Sequence, residues 1–216
     1  VEENATGYFI PQGSEFTTPT ELYAEGDWSS ASFWIVAGCI GNAPIRCNGI
    51  DYDHSVQGDR KVIDVLRSMG ANIETGNGYV FFFFFSLHGV ETDCSNIPDA
   101  VPILSVAAAM ASSSTTFRGI ERLRLKESDR VETTMRMLQS FGIQCSATNS
   151  SITVYPGKPV GGFVDSAADH RIAASAAIMA TVAEGFTTIN NMDCISKSYP
   201  DFCKDFANLG GKLETE

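Results

Sequence analysis

The sequence predicts a mixed α/β (α+β) protein built from three β-α-β-α-β-β units. Three observations support this prediction. Segments rich in small and apolar residues begin at an Asp in three places, about 70 residues apart. A second, amphipathic segment follows each of them at the same spacing and ends at a glycine. Short β-prone runs separate and follow these helices, so we expect repeats over about residues 21–90, 91–160 and 161–216.

The first helix of each unit is expected to start at Asp27, Asp99 or Asp169, because Asp is a favoured helix N-cap. The residues that follow are mostly Ala, Ser and aliphatic, which is typical of helices that pack closely. The second helices should start near further Asp residues. Their expected ends are three glycines, where a left-handed residue closes a helix: Gly70, Gly142 and Gly210.

The second helix of the middle unit contains the chemically richest stretch, RLRLKESDRV at residues 122–131. Ser128 is a plausible N-cap for this helix, which would place Arg130 in the first turn and Lys126 and Glu127 just before it. Backbone N–H groups at a helix start favour an anion, and an Arg there adds a bidentate donor. The pattern therefore indicates an anion site, with Arg124 as a structural residue.

The third unit ends in KLETE and lacks one strand, so we expect a strand from sequence upstream of Val1 to complete it. Residues 1–20 should form a strand and linker from another domain, and residues 21–216 the domain itself. The run Phe81–Phe85 is apolar at every position, which predicts a strand buried on both faces.

Composition excludes several classes of partner. A net charge of −11 and a pI near 4.7 argue against nucleic acid and anionic membrane surfaces. No apolar run is long enough to span a bilayer, and the first residues do not resemble a signal peptide. The six cysteines form no CxxC pair, so we expect reduced, mostly buried thiols in a cytoplasmic protein.

Five motifs, in order and spacing, carry a family resemblance: AEGDWSSASF, NIPDA, LRLKESDR, DHRIA and SKSYPDF. Over about residues 20–216 the chain resembles the C-terminal half of the 5-enolpyruvylshikimate-3-phosphate synthases. The resemblance implies a domain of three β-α-β-α-β-β units with helices inside and sheets outside. It also implies a second domain, from an absent N-terminal half, across an active-site cleft. The implied reaction moves the carboxyvinyl group of phosphoenolpyruvate to the 5-hydroxyl of shikimate 3-phosphate and releases phosphate, without cofactor or metal.

The resemblance also implies residue roles. Asp99 would be the base that orients the hydroxyl, and Glu127 the proton donor to the methylene, with Lys126 shared between proton transfer and substrate contact. The further substrate-binding residues would be Arg122, Arg130, His170, Arg171 and Lys197. Arg122 stands where many family members carry Asn, which leaves its hydroxyl contact open.

Other interpretations remain open at this stage. The Asp residues are also explained as plain helix caps, Glu127 as half of a surface ion pair and His170 as a structural histidine. Alternative functions are a UDP-N-acetylglucosamine enolpyruvyl transferase, a non-catalytic phosphate-binding module and, less compatible with the charge, an RNA-end cyclase. Because the resemblance covers one half of the family's length, we expect little or no turnover from the isolated chain.

Overall fold

Helices and short strands alternate along the chain, as the sequence predicts. The computed structural model describes residues 1–15, 17–83 and 86–214. Helices α1 to α6 span Trp28–Ile40, Val62–Ser68, Val101–Ala109, Arg130–Ser140, His170–Ala180 and Phe202–Asn208. Strands β1 to β11 span Glu2–Asn4, Gly7–Phe9, Ile45–Asn48, Asn72–Gly76, Tyr79–Phe83, Glu91–Asp93, Thr115–Arg118, Cys145–Ala147, Ser151–Val154, Phe163–Asp165 and Thr188–Asn190. Short 3₁₀ segments cover Gly58–Lys61, Pro98–Ala100, Glu121–Leu125 and Met192–Lys197.

The strands of the described residues form four small sheets. β1 and β2 make an exposed antiparallel hairpin. β3, β5 and β4 form an antiparallel sheet in that order. In the largest sheet, ordered β6-β7-β9-β8, β6 runs parallel to β7 and the other pairs are antiparallel. β10 and β11 form a parallel pair.

Helices α1, α3 and α5 lie together in the core and contact one another. Every residue of α3 is buried, and small side chains line much of α3 and α5, which lets the helices approach closely. Each of the three helices also contacts strands of one sheet: α1 contacts β3 and β5, α3 contacts β9, and α5 contacts β11. The core is therefore helical at its centre.

Glycines close the second helices as the sequence predicts. α2, α4 and α6 each end two residues before a glycine with a left-handed backbone, with φ of +93°, +76° and +96° at Gly70, Gly142 and Gly210. At Gly142 no atom lies within 4 Å of the position that a Cβ would occupy. Its requirement for glycine is therefore conformational rather than steric.

Two predicted strands are absent. Residues 17–27, ahead of α1, contain no strand, so the first unit lacks its expected opening strand. The final KLETE run is also not a strand where it is described, over residues 211–214. Neither segment is hydrogen-bonded in the described part of the chain to a strand that would fix an extended backbone.

The phenylalanine run is buried on one face rather than two. Val80 and Phe82 are fully buried, whereas Phe81 is partly exposed and Phe83 is 36% exposed. The rings of Phe81 and Phe83 meet edge to face, 4.5 Å apart between centroids. The prediction of two covered faces is wrong for these residues because α1 covers one side of β5. Phe84 and Phe85 lie outside the described residues.

The cysteine prediction is correct only in part. All six thiols are free, and Cys39 and Cys94 are buried, but Cys203 is exposed and the other three are partly buried. Cys203 lies on α6, whose buried face is made by two phenylalanines instead. No helix in the described ranges combines the length and apolar character of a membrane span.

Candidate active site

The charged residues of the candidate site lie at the start of α4, but the N-cap of this helix differs from the predicted one. Asp129, not Ser128, is the N-cap, and its carboxylate accepts hydrogen bonds from the backbone N–H groups of Val131 and Glu132, both at 3.2 Å. Ser128 lies one residue too early for these contacts. Its hydroxyl is instead 2.9 Å from Asp169 Oδ2. The cap still places Arg130 in the first turn, as predicted.

Arg130 is the centre of the site. Its side chain is 2% exposed, and three carboxylates surround the guanidinium. Nε donates to Asp169 Oδ2 at 2.8 Å, Nη1 donates to Asp99 Oδ1 at 2.7 Å, and Nη2 donates to Glu127. A buried guanidinium needs such partners, because leaving it unpaired away from water costs several kcal/mol.

Asp99 lies in the 3₁₀ turn that leads into α3 and makes no capping hydrogen bond. The Lys126 ammonium is 2.9 Å from Asp99 Oδ1, so this carboxylate bridges two cations. Burial raises the pKa of Asp99, but the hydrogen bond from Lys126 and the charges of Arg130 and Arg171 together outweigh burial and hold the pKa below its ordinary value. Asp99 is therefore ionised at neutral pH, and the helix-cap interpretation does not apply to it.

Asp169 connects the starts of α4 and α5. Besides binding Arg130 and Ser128, it is the N-cap of α5 and accepts from the backbone N–H of Arg171 at 3.0 Å. It is fully buried, and burial raises its pKa, but Arg130 and the other donors lower the pKa overall. Sequence reasoning found Asp169 only as a helix start. Its bond to Arg130 joins residues 39 positions apart and leaves no local sequence signal.

The turn before Asp169 is strained. Ala167 and Ala168 have φ of +51° and +54°, a region that costs alanine about 1–2 kcal/mol per residue. Asp165 Oδ1 accepts from the Ala167 N–H at 2.9 Å, and Asn190 Oδ1 accepts from the Ser166 N–H at 3.0 Å. These contacts hold the turn that delivers Asp169 and His170 to the site. The alanines themselves give no indication of this conformation.

His170 and Arg171 enter from the first turn of α5. The His170 side chain is mostly buried, and its Nδ1 lies 3.7 Å from Glu127 Oε1 without a hydrogen-bond partner. Burial, assisted by the charge of Arg171, lowers the pKa of His170, although Asp169 and Glu127 act in the opposite direction. Arg171 is partly buried and close enough to Asp99 to affect its pKa. Both residues therefore belong to the cluster, as predicted.

A polar cavity of about 410 Å³ adjoins this cluster. Asp99, Lys126 and the exposed Arg122 line it on one side, and Ser29 and Asp59 line it on another. The sequence analysis placed Arg122 in the site but did not identify Ser29 and Asp59 as residues that line the same cavity. There the Ser29 hydroxyl donates to Asp59, a contact between the starts of α1 and the segment before α2.

Two further basic residues, Arg124 and Lys197, form no ion pair with the carboxylates around Arg130. Lys197 is exposed at the end of its 3₁₀ segment, and the ion pairs of the described chain do not include it. The 3₁₀ segment that carries Lys197 packs against α5, the helix that begins with His170 and Arg171, and the predicted substrate contact of Lys197 stays a prediction. Arg124 binds Asp129 Oδ2 at 2.9 Å and the carbonyl oxygen of Thr148 at 3.0 Å, so it braces the α4 cap, in agreement with its predicted structural role.

The charges of the cluster balance. Lys126, Arg130 and Arg171 supply three positive charges, and three carboxylates, those of Asp99, Glu127 and Asp169, oppose them. Within the described residues there is no group of His, Cys, Asp and Glu suited to holding a metal ion. The arrangement places carboxyl groups that can transfer protons beside cations that can bind phosphate or carboxylate groups.

Comparison with known proteins identifies the family. The family model for EPSP synthase (3-phosphoshikimate 1-carboxyvinyltransferase) matches residues 1–206. The 3-phosphoshikimate 1-carboxyvinyltransferase of Clostridium novyi (strain NT) is 37% identical over 215 residues, which are 99% of this chain and 49% of that protein. The enzyme of the same name from Dehalococcoides mccartyi is 38% identical over 195 residues, 90% of this chain and 46% of that protein. The chain thus spans about half the length of these curated relatives.

Solved structures agree with the match to this family. An EPSP synthase from Acinetobacter baumannii matches with a TM-score of 0.80 and 26% identity, over 89% of this chain and 47% of that chain. The enolpyruvyl transferase NikO from Streptomyces tendae matches with a TM-score of 0.72 at 24% identity, over 88% and 44%, and supports the fold alone. By family model, sequence and structure, the chain belongs to the EPSP synthase family.

Proposed function

We propose that the complete protein containing this chain transfers the carboxyvinyl group of phosphoenolpyruvate to the 5-hydroxyl of shikimate 3-phosphate and releases phosphate. This is the shikimate-pathway step that leads toward aromatic amino acids. The observation that carries the proposal is the buried Arg130 guanidinium with Asp99 and Glu127 beside it and Lys126 on Asp99. Cations for an anionic substrate and carboxylates for two proton transfers thus share one site.

The proposed site is completed by a second half of the protein, since the chain spans about half of its relatives. Three β-α-β-α-β-β units over residues 21–90, 91–160 and 161–216 are the proposed plan of this domain. The mutual contacts of α1, α3 and α5 support that plan. Six free thiols support a reducing, cytoplasmic location.

Asp99 is the proposed base for the 5-hydroxyl. Its lowered pKa keeps it ionised near neutral pH, and Lys126 stabilises the charge from 2.9 Å. Glu127 is the proposed proton donor to the methylene of phosphoenolpyruvate, and Lys126 is shared between proton transfer and substrate contact. Asp99 and Glu127 bind different nitrogens of Arg130, which suits them to separate steps.

The remaining predicted residues are proposed to bind substrate. Arg130 and Arg171 would hold the carboxylate and phosphate of phosphoenolpyruvate, with His170 beside them. Lys197 is proposed to join them from the 3₁₀ segment that packs against α5. Arg122 would face shikimate 3-phosphate in the polar cavity that it shares with Asp99 and Lys126.

Two alternatives are weaker. The matched family and the curated relatives do not favour a UDP-N-acetylglucosamine enolpyruvyl transferase. A non-catalytic phosphate-binding module would bind anions better without carboxylates around Arg130, yet the structure places three there. The experiment below separates this module from an enzyme.

The test joins this chain to the remaining half of the Clostridium novyi relative and measures phosphate release from the two substrates. We expect turnover in the joined protein and little or none in the chain alone. Asp99→Asn and Glu127→Gln should each reduce the rate by about 100-fold or more, the usual contribution of acid–base groups. Glu132→Gln is the matched control, because Glu132 pairs with Arg136 on the exposed face of α4. A well-folded joined protein without turnover would favour the binding module.

A further inference from the structure

The cluster around Arg130 carries no net positive charge. Its three cations are balanced by the carboxylates of Asp99, Glu127 and Asp169, in a chain whose formal net charge is −11. An incoming phosphate or carboxylate therefore meets a neutral cluster inside an acidic protein. Binding requires either additional positive charge or the loss of negative charge.

Carboxylates also enclose the Arg130 guanidinium. Each of its three nitrogens already donates to a different carboxylate, and the side chain is 2% exposed. Because the guanidinium is 2% exposed, an external anion reaches it only if one of those carboxylates moves aside. The anion and the carboxylates therefore compete for the same N–H groups.

Glu127 is the carboxylate least firmly held. Asp169 is fully buried and also accepts from Ser128 and from the backbone of α5, and Asp99 is also held by Lys126. Glu127 is 35% exposed, and the only other basic side chain that pairs with it within 4 Å among the described residues is His170, whose Nδ1 lies at 3.7 Å. Its side chain can therefore rotate toward solvent with the loss of fewer contacts than Asp99 or Asp169 would lose.

We propose that an anionic ligand displaces Glu127 from Arg130 and that Glu127 takes up a proton from solvent as it is displaced. The inference rests on the proposed function and deepens it. The hydrogen bond from Arg130 Nη2 to Glu127 is replaced by one to a ligand oxygen. One new O–H bond forms on the Glu127 carboxyl, with the proton supplied by water or buffer. The substrate thereby loads the acid that the reaction needs.

The groups around Glu127 favour this exchange. Arg130 faces it from α4 and His170 from α5, and Lys126, the preceding residue, binds Asp99. Asp99 and Asp169 bind the other two nitrogens of the guanidinium. Once Arg130 binds the ligand, Glu127 loses its hydrogen bond to that cation. The negative charge of the ligand then lies beside the Glu127 carboxyl. Both changes favour the protonated carboxyl. His170 is the competing proton acceptor, since its Nδ1 has no partner.

Sulfate is the probe, because it stays fully ionised around neutral pH and any bound proton must belong to the protein. Calorimetric titrations in two buffers of different ionisation enthalpy count the protons taken up. We expect about one proton per sulfate and an affinity that falls about tenfold per pH unit above neutrality. Glu127→Gln should bind sulfate about tenfold more tightly or better, with no proton uptake. The control Glu132→Gln should match the native chain.

Three results would overturn the inference: sulfate binding without proton uptake, uptake that persists in Glu127→Gln and so belongs to His170, or no sulfate binding by native chain and variant alike. The proposed function fails separately. If the joined protein shows no turnover while the chain retains Glu127-dependent proton uptake, the anion switch stands and the transferase activity does not.

Discussion

At the scale of single residues, Arg130 determines whether the site exists. A guanidinium that is 2% exposed has lost its hydration, and three carboxylates replace it. Asp169 depends on this arrangement in turn, because it is fully buried and Arg130 is its only salt-bridge partner among the described residues. The same ion pairs that prepare the chemistry therefore also contribute to stability.

We expect Arg130→Met to lower the free energy of unfolding by about 3–5 kcal/mol at neutral pH, because it leaves a buried carboxylate without its cation. Urea unfolding measures the change. Arg136→Met is the matched control on the exposed face of the same helix, where the lost pair contributes about 0–1 kcal/mol. Equal effects of the two substitutions would contradict a special role for Arg130.

The loss of unfolding free energy in Arg130→Met should also depend on pH. The folded-state pKa values of Asp99 and Asp169 are lowered, so their ionised forms stabilise the fold above their unfolded-state pKa of about 3.9. This contribution is lost as pH falls through the lower folded values. The stability difference between the native chain and Arg130→Met should therefore narrow below about pH 4. A difference that stays constant into acid would show that packing, not charge, is responsible.

Much of the site follows from sequence because its residues lie at helix starts. Of the residues predicted from the sequence, Asp99 and Glu127 bind the Arg130 guanidinium, and His170 lies beside Glu127. The contribution of Asp169 does not follow, since only the tertiary fold brings it to Arg130. The position of Lys197 depends for the same reason on how its 3₁₀ segment packs against α5.

At the scale of elements, helix ends are predictable from local sequence, whereas the pairing of strands is not. A helix that ends before a left-handed glycine, such as α4 at Gly142, is specified by a few adjacent residues. A strand needs a neighbour, and the final KLETE run has none over its described residues, so its composition alone does not make it extended. The outward face of β5 was mispredicted because its composition does not show that α1 covers one side only.

The two faces of β5 should respond differently to truncation. Phe82→Ala removes a fully buried ring and should lower the free energy of unfolding by about 3–5 kcal/mol. Phe83→Ala removes the adjacent ring on the outer face, which is 36% exposed, and should change it by less than about 1 kcal/mol. Denaturant titrations compare the two directly. Similar losses would indicate that both faces of the strand are covered.

At the scale of the whole molecule, one continuous core connects three of the four described sheets, all except the exposed β1–β2 hairpin. Helices α1, α3 and α5 contact one another, and the buried residues that they contribute belong to a single hydrophobic cluster. The proposed repeats therefore do not have separate cores, unlike the units of a linear repeat array. The site depends on this arrangement, because Asp99, Arg130 and Asp169 come from the starts of α3, α4 and α5.

A shared core predicts that the chain unfolds as one unit. Both tryptophans, Trp28 and Trp34, lie in α1, so their fluorescence reports on one end of the core. Met179→Ala in α5, where the side chain is fully buried, should lower the stability measured by that fluorescence by about 2–5 kcal/mol. Far-ultraviolet circular dichroism should give the same midpoint. Phe186→Ala, at a side chain that is 95% exposed, is the control and should leave both midpoints in place. A tryptophan transition that ignores Met179→Ala would mean that the regions unfold independently.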